Sequence, residues 1–249
     1  CQRAGPAMWQ TRSTETMLPE KGWNRRHCTA ALAGMALVGL SLGAAAQDRA
    51  LPNTGSPSAP ARTGPSSTLL VLGDSLSAEY GLPRGSGWVT LLSQRLNQSH
   101  PGWQVVNASI SGDTTSGGRT RLPALLARHQ PRLVILELGG NDALRGLSLQ
   151  QTREHLQAMV QASRAAGAKV LLLGMQMPPN YGADHAARFA ALYREVAQQF
   201  HVGLVPFFLS AIADKPDIAE WFQADRIHPT VKAQPLMLDT VWPELKKLL

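Results

Sequence analysis

The chain has 249 residues, 44% hydrophobic and 16% charged, a globular composition able to bury a sizeable core. The net charge is +7, but residues 1–46 hold five Lys and Arg against two Asp and Glu, leaving 19 basic and 15 acidic residues beyond them. Those 19 are scattered singly apart from Lys246-Lys247, whereas a nucleic-acid footprint gathers them in one run or on one face, so nucleic acid is not an expected partner.

The first segment reads as an export signal. Asn24-Arg25-Arg26-His27 is a basic start, residues 29–42 are apolar or small almost throughout, and Ala44-Ala45-Ala46 offers a cleavage site before Gln47. The apolar run of about 14 residues is short of the roughly 20 that span a bilayer. Residues 1–46 are therefore expected to be upstream residues and a signal peptide, with Met17 a better start than Met8. Arg25-Arg26 leaves both the general and the twin-arginine export routes open. The mature chain is expected to be periplasmic or secreted after cleavage near Ala46, with no stable membrane span. Both cysteines, Cys1 and Cys28, lie in the removed part, so disulfides, thiolate metal sites and a cysteine nucleophile are not expected.

Residues 47–67 are rich in Pro, Ser, Gly and Thr without apolar period and read as a disordered tether. A domain over residues 68–249 follows. Its near-continuous apolar runs, at 69–72, 105–110, 133–138, 170–174 and 202–208, suit strands buried on both faces of a parallel sheet. Helical patterns alternate with them at 87–98, 118–128, 149–166 and 184–200, with a last one at 232–248 interrupted by Pro235 and Pro243. Five strands alternating with helices predict a three-layer α/β/α sandwich with right-handed crossovers. Ligands then bind beyond the carboxyl ends of the strands, so a working residue should fall just after a strand.

Ser75 does so, three residues after Leu72 in "VLGDSLS". It is either a nucleophile or a cap for the next helical segment. Gly112 follows the second run in "SISGDTT", as a turn glycine or as a backbone N–H brought close to a substrate carbonyl. Asn141 follows the third in "LELGGNDALRG", as a turn asparagine or as an amide donor to an oxyanion. Late in the chain, "DRIHP" sets Asp225 three residues before His228, and Pro229 biases the histidine away from helix. That spacing lets the carboxylate reach Nδ1 and leaves Nε2 to face a serine. Together these residues make the inventory of serine acyl transfer: nucleophile Ser75, base His228, orienting acid Asp225, and oxyanion donors from Ser75 N–H, Gly112 N–H and the Asn141 side chain.

The four stretches, in this order, resemble the blocks of the SGNH, or GDSL, hydrolase family, over about residues 68–249. The branch most similar is that of arylesterases, thioesterase I and lysophospholipase L1, matched at Ser75, Gly112, Asn141, Asp225 and His228. The resemblance implies a flavodoxin-like sheet of five parallel strands, no cofactor, no metal, and hydrolysis of small-molecule acyl esters and thioesters. Ala143 and Arg226 stand where many relatives have glycine, and an arginine beside the triad is expected either to perturb the histidine or to favour anionic substrates.

Loops at the same edge offer Met175, Met177, Pro178 and Tyr181 as an apolar slot for an acyl chain, the alternative being ordinary loop packing. Rival readings are a carbohydrate deacetylase of the same fold and a non-catalytic periplasmic binding module. An α/β-hydrolase is disfavoured because G-x-S-x-G is absent from residues 47–249, its one occurrence, Gly39-Leu40-Ser41-Leu42-Gly43, lying in the expected signal segment, and a nucleotide site because G-x-x-x-x-G-K-[ST] is absent.

Overall fold

Leu69 to Leu72 have no solvent exposure, as expected of a strand with helices on both faces. The computed structural model describes residues 67–177 and 182–249. The chain divides into two units, residues 1–56 and 57–249, and every described residue belongs to the second. The expected export signal and nearly all of the tether lie outside the described residues.

Five strands form one parallel sheet: β1 (Ser67–Gly73), β2 (Trp103–Asn107), β3 (Leu133–Glu137), β4 (Lys169–Leu173) and β5 (Gly203–Val205), in the order β2-β1-β3-β4-β5. The long helices are α1 (Trp88–Ser99), α2 (Thr115–His129), α4 (Leu149–Ala165), α5 (Ala183–Phe200) and α8 (Gln234–Lys246). Three short ones, α3 (Gly140–Leu144), α6 (Ser210–Ala213) and α7 (Ile218–Trp221), lie in connections. Helices α2, α4 and α5 pack together over one face, and α1 and α8 pack together on the other. The three-layer α/β/α arrangement expected from the pattern is the observed one.

The two outer strands are shorter than their apolar runs. β2 is an edge strand with only partial burial, and past Asn107 the chain leaves the ladder, although Ala108 N still donates to Val71 O and Ile110 N to Gly73 O. β5, at the other edge, stops at Val205 because Pro206 has no N–H to continue the ladder. Helix α2 begins three residues earlier than its apolar pattern, since Thr114 caps it by accepting from Gly117 N. At the far end, Pro235 sits in the first turn of α8, where a missing N–H costs nothing, and Pro243 is accommodated within the helix.

The order of the strands decides where a site can form. From β1 the chain crosses to β2 on one side, and β3 lies on β1's other side, so the connections leaving β1 and β3 diverge and open a crevice at their carboxyl ends. Gly73 and Glu137 end these two strands side by side.

Candidate active site

Past Gly73 the chain turns sharply. Asp74 directs the turn: its Oδ1 accepts from Leu76 N at 3.0 Å, and its carbonyl accepts from Ser77 N and Ala78 N. No helix starts at Ser75 for it to cap: the next one, α1, begins at Trp88 with Gly87 at its N-cap. The Ser75 hydroxyl points instead to the far end of the chain, with Oγ 2.8 Å from His228 Nε2.

His228 lies on the loop after α7, which an isolated antiparallel bridge between Phe222 and Pro229 pinches at its base. Its Nδ1 is 2.6 Å from Asp225 Oδ2. The other oxygen, Oδ1, accepts from the backbone N–H of Ile227 at 2.9 Å and of His228 at 3.0 Å. Desolvation raises the Asp225 carboxyl, but the hydrogen bonds from the His228 ring and from the two backbone N–H groups outweigh it, pulling the group down to about 2. A carboxylate held ionised against Nδ1 keeps that proton in place and fixes the tautomer with Nε2 facing Ser75. Arg226, between Asp225 and Ile227, takes φ 58, a left-handed conformation that glycine adopts without strain.

Asn141 is on α3, directly after the β3 turn. Its Nδ2 donates to Asp74 Oδ2 at 3.0 Å, and the amide carries a second N–H beyond the one so used. The side chain therefore binds across to the loop after β1 rather than folding onto its own turn. Gly112, with φ 78, is on the loop after β2, and its carbonyl accepts from Arg145 Nη2 at 2.8 Å.

Two further connections hold these loops. Asp142, 2% exposed, accepts from Thr115 N at 2.9 Å, Thr115 Oγ1 at 2.5 Å and Thr152 Oγ1 at 3.3 Å. It ties the residue after Asn141 to the start of α2, three residues past Gly112. Arg121 reaches back from α2 to Asp113 Oδ2 at 2.6 Å and Ala108 O at 2.8 Å, fixing the Gly112 loop from its other side.

Residues 71–234 match the GDSL-like lipase/acylhydrolase family. The chain belongs to that family. It is 53% identical over 182 residues to the esterase TesA of Pseudomonas aeruginosa, covering 73% of this chain and 89% of that one. It is 45% identical over 191 residues to thioesterase 1/protease 1/lysophospholipase L1 of Escherichia coli K12, covering 75% and 87%. A crystal structure of TesA superposes with a TM-score of 0.70 at 53% identity, covering 73% of this chain and 99% of that one.

In this GDSL-like acylhydrolase several residues near the Ser75–His228 pair were not singled out from sequence. The Tyr80 ring lies against the His228 imidazole, with centroids 4.4 Å apart. Gln223 Nε2 donates to Tyr80 O at 2.9 Å and to Pro229 O at 3.1 Å, and Gln223 N donates to His228 O at 2.7 Å, so one residue ties the histidine loop to the serine loop. A glutamine between an aromatic and an Asp-x-x-His carries no periodic signal. Glu137, by contrast, had a visible one, a carboxyl at the end of an all-apolar strand.

Of the candidate acyl-slot residues, Met175 and Met177 are each 9% exposed and pack into the core, while Pro178 and Tyr181 lie outside the described residues. Exposed apolar side chains on the loops after the first three strands are Tyr80, Ile110, Leu144 and Leu147, at 40–50%. Phe222 is buried, and Trp221 lies beside the ammonium groups of Lys215 and Lys232 at 5.0 and 4.6 Å, so both aromatics anchor the histidine loop. A cleft of about 400 Å³ beside that loop is lined by Ile218, Ala219, Phe222, Gln223, Ala224 and Arg226, without Ser75 or His228. No helix of the described residues is long and apolar enough to cross a membrane.

Proposed function

We propose that this protein hydrolyses carboxylic acyl esters and thioesters, with Ser75 as nucleophile, His228 as general base and Asp225 as its orienting acid. The observation that carries the reading is the unbroken chain from Ser75 Oγ to His228 Nε2 at 2.8 Å and from His228 Nδ1 to Asp225 Oδ2 at 2.6 Å. Membership of the acylhydrolase family supports it, as do the printed activities of its relatives: esterase, thioesterase, lysophospholipase and arylesterase.

In this mechanism His228 Nε2 takes the Ser75 proton as Oγ attacks the acyl carbonyl. The charge gathering on the carbonyl oxygen is met by the Ser75 and Gly112 backbone N–H groups and by the Asn141 amide. Asp225 stabilises the imidazolium, which then protonates the leaving alcohol or thiol. Water enters, His228 activates it, and the acyl group leaves Ser75 as the free acid. The acyl chain lies on the exposed apolar side chains of Tyr80, Ile110, Leu144 and Leu147, with Met177, Pro178 and Tyr181 as further candidates. Residues 68–249 form the catalytic domain, carried out of the cytoplasm by a signal within residues 1–46.

The test is a p-nitrophenyl ester series from acetate to palmitate, with acyl thioesters alongside. Hydrolysis of both bond types over a range of chain lengths is expected. A sharp restriction to acetyl groups, with turnover of acetylated sugars, would move the assignment to a deacetylase, and no turnover of any ester would overturn it.

A further inference from the structure

Beneath the serine loop lies a second carboxyl that no step of the mechanism uses. Glu137 ends β3, is 1% exposed, and stands beside Gly73 in the sheet register. Its Oε2 accepts from Asp74 N at 3.2 Å and from Ser77 Oγ at 2.7 Å, and Ser77 Oγ in turn accepts from Trp88 Nε1 at 3.2 Å. The fit is close: a Cβ on Gly73 would fall 2.6 Å from Glu137 Oε2. Glycine is needed at this position to admit the glutamate rather than to reach a left-handed turn.

Asp74 is the next link, 3% exposed, and its Oδ2 is the acceptor of the Asn141 amide. Two buried carboxyls in contact cannot both stay ionised without a cation, and no Lys, Arg or His forms an ion pair with either among the described residues. The other charges felt at Asp74 are His228, which favours its ionised form, and Asp113, which opposes it. On the far side of Glu137, the Tyr193 hydroxyl donates to Leu138 O and not to the carboxyl. Glu137 Oε1 receives no hydrogen bond, although it is fully buried. A carboxylate oxygen left so would be costly, whereas a protonated one supplies a donor. Burial first and the charge of Asp74 second push the Glu137 group well above the ordinary carboxylate range, outweighing the hydrogen bonds from Ser77 Oγ and Asp74 N that favour its ionised form.

We propose that Glu137 is a buried neutral carboxylic acid that braces Asp74, and through Asp74 holds the Asn141 amide in the orientation the oxyanion requires. It is a positioning residue and touches no substrate. The inference rests on the reading of Asn141 as an oxyanion donor. Asp74 spends one Asn141 N–H as an anchor so that the other is aimed, and Glu137 keeps Asp74 from turning away.

The experiment measures kcat and KM on p-nitrophenyl butyrate for Glu137→Gln, Glu137→Ala and Asn141→Ala, alone and with each Glu137 variant combined with Asn141→Ala. Asn141→Ala should lose about 10²–10³ in kcat, the size of one oxyanion donor. Glu137→Ala should lose about tenfold or more in kcat with KM little changed, and Glu137→Gln, neutral and of the same shape, should recover most of it. In the Asn141→Ala background the Glu137→Ala loss should nearly vanish, because the group it positions is gone. An undiminished loss there, or a Gln variant as damaged as the Ala one, would overturn the proposal while leaving the oxyanion reading intact. An Asn141→Ala enzyme with unchanged kcat would overturn that reading itself. Should Glu137→Ala not fold, infrared difference spectra at about pH 8, where free carboxyls are ionised, still decide. A carboxylic-acid C=O band present in the parent and absent from Glu137→Gln is expected, and its absence from the parent would sink the proposal.

Discussion

The Tyr80 ring covers one side of the His228 imidazole, with centroids 4.4 Å apart and planes inclined by 42°. The two residues come from opposite ends of the domain, and Gln223 locks their loops together through Tyr80 O. An aromatic ring beside an imidazole limits its tilt and, in the proposed mechanism, is attracted to the positive charge that develops on it during attack. Tyr80→Ala should lower kcat about two- to fivefold, the value of an exposed cation–aromatic contact, and Tyr80→Phe should retain it. Equal losses in both variants, measured by steady-state kinetics, would assign the effect to the hydroxyl instead.

In the proposed mechanism Asp225→Asn removes the charge that stabilises the imidazolium and lets Nδ1 lose its proton. A fall in kcat of about 10⁴ is expected, the cost of the wrong tautomer, with the fold retained by circular dichroism.

The same carboxylate gives a pH signature. Its folded value, about 2, lies below its ordinary 3.8, so its contribution to stability is present above 3.8 and is lost as pH falls through about 2. Denaturant melts of the parent and Asp225→Asn should therefore converge across that acid window. A stability gap that stays constant through it would contradict the hydrogen bonding assigned to this loop.

Asp74 should behave with the opposite sign. Burial, only partly offset by the Leu76 N–H and the Asn141 amide, raises it from 3.8 to about 6. Folding then favours its protonated form, so its contribution is full below 3.8 and is lost as pH rises through about 6. Asp74→Asn cannot ionise, and its stability relative to the parent should climb across that interval. A flat difference would mean that Asp74 titrates normally.

Much of the proposed site was legible in the chain because Ser75, Gly112 and Asn141 each come shortly after an apolar strand, where a parallel sheet presents its loops. Ser75, Gly112 and Asn141 are polar or glycine interruptions after β1, β2 and β3, and Asp225 with His228 carries its own spacing. What escaped is what depends on pairing across the fold. Nothing local says that Asp74 will cap the turn and anchor Asn141, or that Tyr80 will meet a histidine 148 positions on. Glu137 was hidden differently, absorbed into an apolar run whose one carboxyl was itself the signal of a buried polar network. The early end of β2 goes with its edge position, which hydrophobic periodicity alone cannot reveal, whereas β5 ends at Pro206, a stop that the sequence does show.

The central claim is that Ser75 attacks the acyl carbonyl, and the most direct measurement is hydrolysis of p-nitrophenyl butyrate by Ser75→Ala beside the parent protein. The serine assignment predicts loss of at least about 10³ in kcat, leaving only what binding and the oxyanion donors supply. Hydrolysis by Ser75→Ala at the parent rate would contradict it.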